Sequence, residues 1–379
     1  MIVAIGLDVD SSFGWFIGEA LRARVPLEVV NLRAAIEGAW RFDVPPHGSA
    51  MLDYGGRTIE LRPDDSYYCR LIDLSAHEAD VARAHRWQAF MAALSAWLDA
   101  APGLVMNRSQ AGAHNSSKPL HEAVLRELGF CVPESLTTSD ARELRQFVRA
   151  GPAISKTVCG VRADTVIVTE ADIDGFVPRN GPVHVQRLVS GADARIHVVG
   201  NHLVAQRVTS EGIDYRRTGD LKHLEVFEPP AVLRELLVEG TQSLGLAFAG
   251  WDFKIDGNGA YWCLEANPMP GYGPYDVRCG GAISSGLLTY LGSERNLTGR
   301  APYTLSSPQI GTVFAGSSTK KLEAFKPDPE NPKSILRPFV SQSRRSDILS
   351  NLASRAAATP PAISAAAIVS LTQHIEKSR

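Results

Sequence analysis

Residues 250–276 read GWDFKIDGNGAYWCLEANPMPGYGPYD, and the fold turns on this stretch. WDFKI and YWCLEAN each alternate bulky with polar residues, the period of a half-buried strand. Asp256, Gly257, Asn258 and Gly259 lie between them. Gly and Asn tolerate positive φ, so the expectation is a β-hairpin that turns at 256–259. Pairing the strands brings Asp252 near Glu265 and Asn267. Glu265 and Asn267 are two apart and share one strand face, and Cys263 has the same parity. Two carboxylates and an amide oxygen form a hard, all-oxygen set that suits Mg²⁺ or Mn²⁺. Pro268, Pro270 and Gly271 then end the strand. A surface hairpin whose acids merely face water has the same pattern.

The chain around the hairpin has 379 residues, 44% hydrophobic and 21% charged, ordinary for a globular protein with a sizeable core. A formal net charge of −2 gives no bulk attraction to nucleic acid or anionic membrane, so neither is expected as a partner. The five cysteines form no CxxC pair, which fits reduced thiols and a cytoplasmic location. The opening MIVAIGLDVD lacks a basic leader and reads as a buried strand. No apolar run approaches the roughly 20 residues that span a bilayer.

Residues 1–105 read as a small α/β unit. A strand over 2–7, a helix over 13–24 and a strand over 27–32 make a βαβ beginning and a parallel sheet. Asp8 and Asp10 follow the first strand, where either a ligand site or a helix N-cap belongs; the cap is favoured. Residues 48–65 read as a hairpin turning at 54–57. Arg70 on an apolar strand either holds a substrate carboxylate or pairs with Asp73. A helix is expected over 76–100. Ser117 is a plausible N-cap for the next helix, which ends near Gly129. Ser139 and Asp140 cap another, through Val148. Lys156 stands on a strand over 153–157, beside a turn containing Gly160; it suits a phosphate, or it guards an exposed edge. Further strands are expected over 183–189 and 203–208, a helix over 229–244, and an apolar helix over 279–291. From 293 to 379 the sequence is rich in Pro, Ser, Lys and Ala and reads as a flexible extension.

The ordered set D-x(12)-E-x-N-P with its Pro-Gly-Tyr turn, NSSKPL, GFCVP, Lys156 and GADARIHVVG resembles the ATP-grasp superfamily. It is most similar to the glutathione-synthetase and ribosomal-protein-modifying (RimK-like) branch. The resemblance implies an α/β (α+β) architecture: a small N-terminal domain, then a two-lobed ATP-grasp domain over 106–292. The lid lobe would cover about 115–185 and the C-terminal lobe about 186–292. It also implies ATP and Mg²⁺ as cofactors. Asp252, Glu265 and Asn267 would hold the metal, and Lys118 and Lys156 the phosphates. The hinge Gln186, Arg187 and Leu188 would contact adenine through main-chain groups. Asp193 would accept from ribose hydroxyls, with Arg195 near phosphate or substrate. Arg207, Arg216 and Arg217 would neutralise phosphate charge, Arg207, Arg216 and Lys156 being the catalytic set. Tyr272, Tyr275 and Asp276 follow the metal strand and are candidates to line the substrate end. His114, His121, His184 and His197 are expected to be mostly structural.

The implied reaction is ATP-dependent joining of a carboxylate to an amine through an acyl phosphate, releasing ADP and phosphate. The substrates would be small molecules or peptides, and association into a homo-oligomer is left open. A kinase of the same fold, or a non-catalytic nucleotide-binding protein, are the rival readings.

Overall fold

Residues 2–6 are uninterrupted apolar sequence. In the computed structural model, which describes residues 1–45, 47–159, 165–209 and 223–293, they form the buried strand β1 (Ile2–Gly6). Helix α1 (Ser11–Arg22) follows, and β2 (Leu27–Asn31) pairs parallel to β1, so the βαβ beginning is present. Asp10 caps α1, its Oδ1 accepting from the Ser12 N–H at 2.8 Å. The short helix α2 (Leu32–Ala35) leads into a meander of β3 (Trp40–Phe42), β4 (Ala50–Tyr54) and β5 (Arg57–Leu61). Gly55 and Gly56 both have positive φ, 57° and 84°, as a two-residue hairpin turn between paired Tyr54 and Arg57 requires. β6 (Ser66–Cys69) returns parallel to β1. After α3 (Val81–Ala100), β7 (Val105–Met106) completes a sheet ordered β2-β1-β6-β7. α3 starts at Val81, later than the periodicity suggests, because the Asp80 carboxylate caps it by accepting from Arg83 N. Its Trp87, Phe90 and Leu94 pack on Val3, Ile5 and Leu7 of the first sheet's side.

The next elements are α4 (Lys118–Glu127), β8 (Ser135–Thr138), α5 (Ala141–Ala150), β9 (Ala153–Lys156), β10 (Val166–Val168), α6 (Glu170–Ile173) and β11 (Val183–Arg187). Their strands form an antiparallel sheet ordered β10-β9-β11-β8. β12 (Ala192–Val199), β13 (His202–Thr209), β14 (His223–Phe227), α7 (Ala231–Ser243), β15 (Phe248–Ile255) and β16 (Tyr261–Asn267) follow. They give a five-stranded antiparallel sheet, β14-β13-β12-β15-β16, with β16 at the edge. One face packs on α7 through Ala194, Ile196, Trp251 and Leu237. The other receives α8 (Gly273–Arg278) and α9 (Ala282–Gly292) through Tyr275, Ile283, Leu287, Phe248 and Val204.

The helix expected over 279–291 is present as α9, and a second short helix, α8, precedes it. α8 begins at Gly273, with Pro274 in its first turn, and Gly281, at φ 82°, separates it from α9. Among the described residues no helix is long and apolar enough to cross a membrane. Of the expected extension, residues 294–379 lie outside the described residues.

Candidate active site

The hairpin forms as its sequence demands. The Asp256 carboxylate accepts from Asn258 N and Ala260 N, both at 2.9 Å, and closes the turn between β15 and β16. Asp252 pairs directly with Glu265, and Gly250 with Asn267. Directly opposed residues of an antiparallel pair project to one face, so all three oxygen side chains share a face. Asn267 Oδ1 accepts from Met269 N at 2.9 Å, which fixes its amide at the strand end.

A β-bulge between Asp252 and Phe253 changes one expectation. Phe253 pairs with Cys263, leaving an extra residue before Glu265. Cys263 therefore lies on the face opposite Asp252, fully buried among Trp251, Phe253 and Ala266. Its thiol is pushed well above the ordinary range by burial and then by the Asp252 charge. It is a core residue, not a neighbour of the oxygen set.

Asp252 is only 6% exposed, and its Oδ1 accepts from Arg195 Nη1 at 2.7 Å. Arg195 sits across the strand pair, opposite Asp252 on β12. Gly250 makes room for it: a Cβ there would lie 2.3 Å from Arg195 Nη2. On the same face Asp193 pairs with Lys254, whose Nζ is 2.8 Å from Asp193 Oδ2. The carboxylate expected to receive ribose hydroxyls is thus held by a lysine. His197, also on this face, is held neutral by burial and by Arg195 beside it.

Lys156 leads to the second half of the arrangement. Its Nζ donates to Gln186 Oε1 at 2.6 Å, across the pairing of β9 with β11. Gln186 is fully buried, and its Nε2 donates to Glu122 Oε1 at 2.7 Å. His184 Nε2 donates to the same oxygen at 3.0 Å and its Nδ1 accepts from Thr137 Oγ1. Burial raises the Glu122 carboxyl, but hydrogen bonds from His184 and Ser135 outweigh it and hold it below its ordinary value. Gln186 therefore positions Lys156 with its side chain. Lys118, at the start of α4, donates its backbone N–H to Val158 O at 2.9 Å, and Ser117 bridges to Cys159, so the helix start adjoins the segment after β9.

The next residue back from Glu122 reaches the hairpin. His121 Nε2 accepts from the Ala266 N–H at 2.9 Å, and Ala266 lies between Glu265 and Asn267. Two adjacent residues of α4 thus join Lys156 to the strand bearing the oxygen set. Sequence reasoning missed Glu122. Its signal was an acid on the buried face of an amphipathic helix, beside His121 and one turn before Leu125.

The strand ends are clamped from elsewhere. Asn107 Nδ2 donates to Phe248 O at 2.6 Å and Pro268 O at 2.5 Å, and its Oδ1 accepts from Ala247 N and Phe248 N. Arg70 pairs with Asp10, Nε to Oδ2 at 2.6 Å, and donates to Pro270 O at 2.9 Å. It does not pair with Asp73, whose Oδ1 accepts from Ser75 N. The proposed lining residues are interior: Tyr272 and Asp276 are fully buried, and the Asp276 carboxylate accepts from Trp15 Nε1, Ile283 N and Ser284 N. They fasten α8 and α9 rather than meet a substrate.

Three further expectations are revised. Arg207 pairs with Ala194, one residue out of phase with Arg195, so it lies on the face opposite Asp252, its guanidinium 5.5 Å from the Phe227 ring centroid. The Arg187 guanidinium donates to Glu134, Phe147 O and Gly151 O. The backbone N–H groups of Arg187 and Leu188 are taken by Glu134 O and Pro152 O. These two main-chain donors are used within the fold. Leu188, Val189 and Ser190 line a cavity of about 770 Å³ together with Trp262 and Arg126. Arg216, Arg217 and Gly160 lie outside the described residues.

The donor chemistry fits a hard divalent cation. Among the described residues no group of three or more His, Cys, Asp or Glu side chains is placed to hold a metal ion. The Asp252, Glu265 and Asn267 set has two acids, with an amide oxygen as its third donor.

No protein-family model matches the sequence, and no curated protein matches it. Solved structures do match. Macrocyclase MdnC of Microcystis aeruginosa MRC, bound with precursor peptide MdnA, gives a TM-score of 0.66 at 18% identity, covering 78% of this chain and 100% of that one. ATP-grasp ligase PsnB, complexed with a minimal precursor, Mg and ADP, gives 0.61 at 25% identity, covering 76% and 97%. A RiPP-associated ATP-grasp ligase of Chryseobacterium gregarium, with ADP and a leader and core peptide, gives 0.63 at 16% identity, covering 76% and 96%. The architecture is therefore the ATP-grasp fold. It is the fold shared by these solved ATP-grasp ligases.

Proposed function

We propose that this protein is an ADP-forming ligase that joins a side-chain carboxylate to a side-chain amine within a precursor peptide. The peptide class is supported by the structural neighbours, which carry precursor, leader or core peptides. The observation that carries the ligase reading is the bridge through α4, which links Lys156, by Gln186 and Glu122, to the strand bearing Glu265 and Asn267, by His121.

Amide formation from a carboxylate in water is uphill. Transfer of the γ-phosphoryl group of ATP to the carboxylate oxygen makes an acyl phosphate. Attack by the amine then forms the C–N bond, expels phosphate and releases a proton. Asp252, Glu265 and Asn267 would hold Mg²⁺, which supplies charge neutralisation for the phosphates. Lys156 orients the transferred group as a point charge with its geometry set by Gln186. Arg195 keeps the Asp252 carboxylate in place through a buried ion pair. No protein nucleophile is required.

The test is to incubate the enzyme with ATP, Mg²⁺ and candidate precursor peptides bearing acidic and lysine side chains. ADP release and peptide mass are then followed. Loss of one water per ADP supports the reading. A phosphorylated peptide without water loss would replace it with a kinase. Asp252→Asn and Glu265→Gln should each lower the rate at least about 100-fold, the scale of losing a main electrostatic contact.

A further inference from the structure

Among the described residues β16 is an edge strand, so no neighbouring strand there receives its outward N–H groups. Two are received by other parts of the chain. Cys131 O accepts from Cys263 N at 2.7 Å, and His121 Nε2 accepts from Ala266 N at 2.9 Å. Ala266 is the residue between the two ligands that β16 contributes, and its amide orients the peptide planes on both sides.

A backbone amide can only donate. His121 Nε2 must therefore carry a lone pair, and the His121 proton must sit on Nδ1. That proton points to His114 Nδ1, 2.8 Å away, with the two rings nearly parallel at 8°. His114 Nδ1 must then accept, which places the His114 proton on Nε2, a buried atom with no hydrogen-bond partner among the described residues. The tautomers of both rings follow from one backbone N–H. His121 is 2% exposed and is walled in by Glu122 on its own helix, by His114 and by β16.

We infer that His121 is a positioning residue for the metal edge: as the Nδ1–H tautomer, buttressed by His114, it substitutes for a missing strand neighbour and fixes the spacing of Glu265 and Asn267. This rests on the proposed metal role of those two side chains. His121 itself touches neither metal nor substrate.

The first measurement is made on the full chain without metal. Nitrogen-15 NMR of labelled histidine at pH 7 should show His121 protonated at Nδ1 and bare at Nε2, with His114 protonated at Nε2. The opposite tautomer of His121, or an imidazolium, would overturn the inference. The second uses His121→Leu, which removes the acceptor, and His121→Gln, whose amide oxygen can receive the Ala266 N–H. The Mg²⁺ concentration for half-maximal ADP release should rise about 10-fold or more in the Leu variant and return most of the way in the Gln variant. ATP KM at saturating Mg²⁺ should move less than about 3-fold. An unchanged Mg²⁺ dependence in His121→Leu sinks the positioning role. If Asp252→Asn and Glu265→Gln also leave Mg²⁺ dependence unchanged, the metal reading itself is what fails. Should His121→Leu not fold, the NMR tautomer decides.

Discussion

Arg195 and Asp252 face each other across β12 and β15, and the guanidinium Nη1 lies 2.7 Å from the carboxylate Oδ1. Both side chains are less than a tenth exposed. The carboxylate proposed to hold a cation is thus also paired with an arginine. Removing one member of a buried pair leaves an unpaired charge, at about 3–5 kcal/mol. Arg195→Gln should therefore lower the melting temperature by roughly 5–10 °C. Adding Asp252→Asn to it should restore part of that loss, because the stranded charge is gone. A double-mutant cycle by thermal melting measures the coupling, and strictly additive effects would contradict the pairing. Gly250→Ala should weaken the same pair, since a Cβ there meets the Arg195 guanidinium.

Glu122 lies away from the reacting groups, yet it holds Gln186, which holds Lys156. Glu122→Gln keeps the shape, loses the charge, and puts an amide nitrogen that cannot accept where one carboxylate oxygen stood among the three donors Gln186, His184 and Ser135. The expected outcome is a rise in ATP KM of about 3- to 10-fold with a smaller fall in kcat. Lys156→Met should cost more, on the order of 100-fold in kcat/KM, as a lost phosphate contact does. Initial-rate kinetics across ATP concentration separate the two. Equal losses would mean that Glu122 does not act through Lys156.

The hairpin, the βαβ beginning and the glycine turn at 54–57 were legible because each is written locally, in alternation, periodicity or positive-φ residues. The bulge at Asp252 and Phe253 was not. It inserts one residue without any change in composition, and it reverses the face of Cys263 while keeping Asp252 opposite Glu265. Arg207 was misread for a related reason: its face is decided by register against Ala194, which only the folded sheet sets. Arg70 illustrates the long-range case. Its partners, Asp10 and Pro270, are 60 and 200 residues away. Asp276, whose place just past the metal strand suggested a substrate contact, is consumed by the first turn of α9 and by Trp15.

The face of Cys263 makes a chemical prediction. A buried thiol raised well above its ordinary range stays protonated and unreactive. Brief treatment of the native protein with iodoacetamide should label Cys131 and Cys159, which are exposed, and spare Cys263 and Cys69, which are buried. Peptide mass mapping gives the pattern directly. Cys263→Ser should leave the Mg²⁺ requirement unchanged while costing about 1–3 kcal/mol of stability, since a hydroxyl replaces a thiol in an apolar setting. Early labelling of Cys263 would mean that the strand pairs without the bulge.

Acid stability follows from histidines that burial holds neutral. His121 is depressed from 6.5 to about 3 by burial, by His114 and by Lys118, and His197 is also held well below its ordinary value. A group whose folded value is lowered takes up a proton in the unfolded chain first. Stability is therefore full above pH 6.5 and falls as the pH drops toward the folded values. Between pH 6.5 and 4.5 the loss comes mainly from these two rings and from His114, which burial also lowers, because the Glu122 carboxyl is held below its ordinary value. The slope should approach about 1.4 kcal/mol per pH unit for each ring. Urea unfolding at a series of pH values measures it. His121→Gln should remove about one proton's worth of slope, and a variant that keeps the full slope would show that His121 is charged in the folded protein.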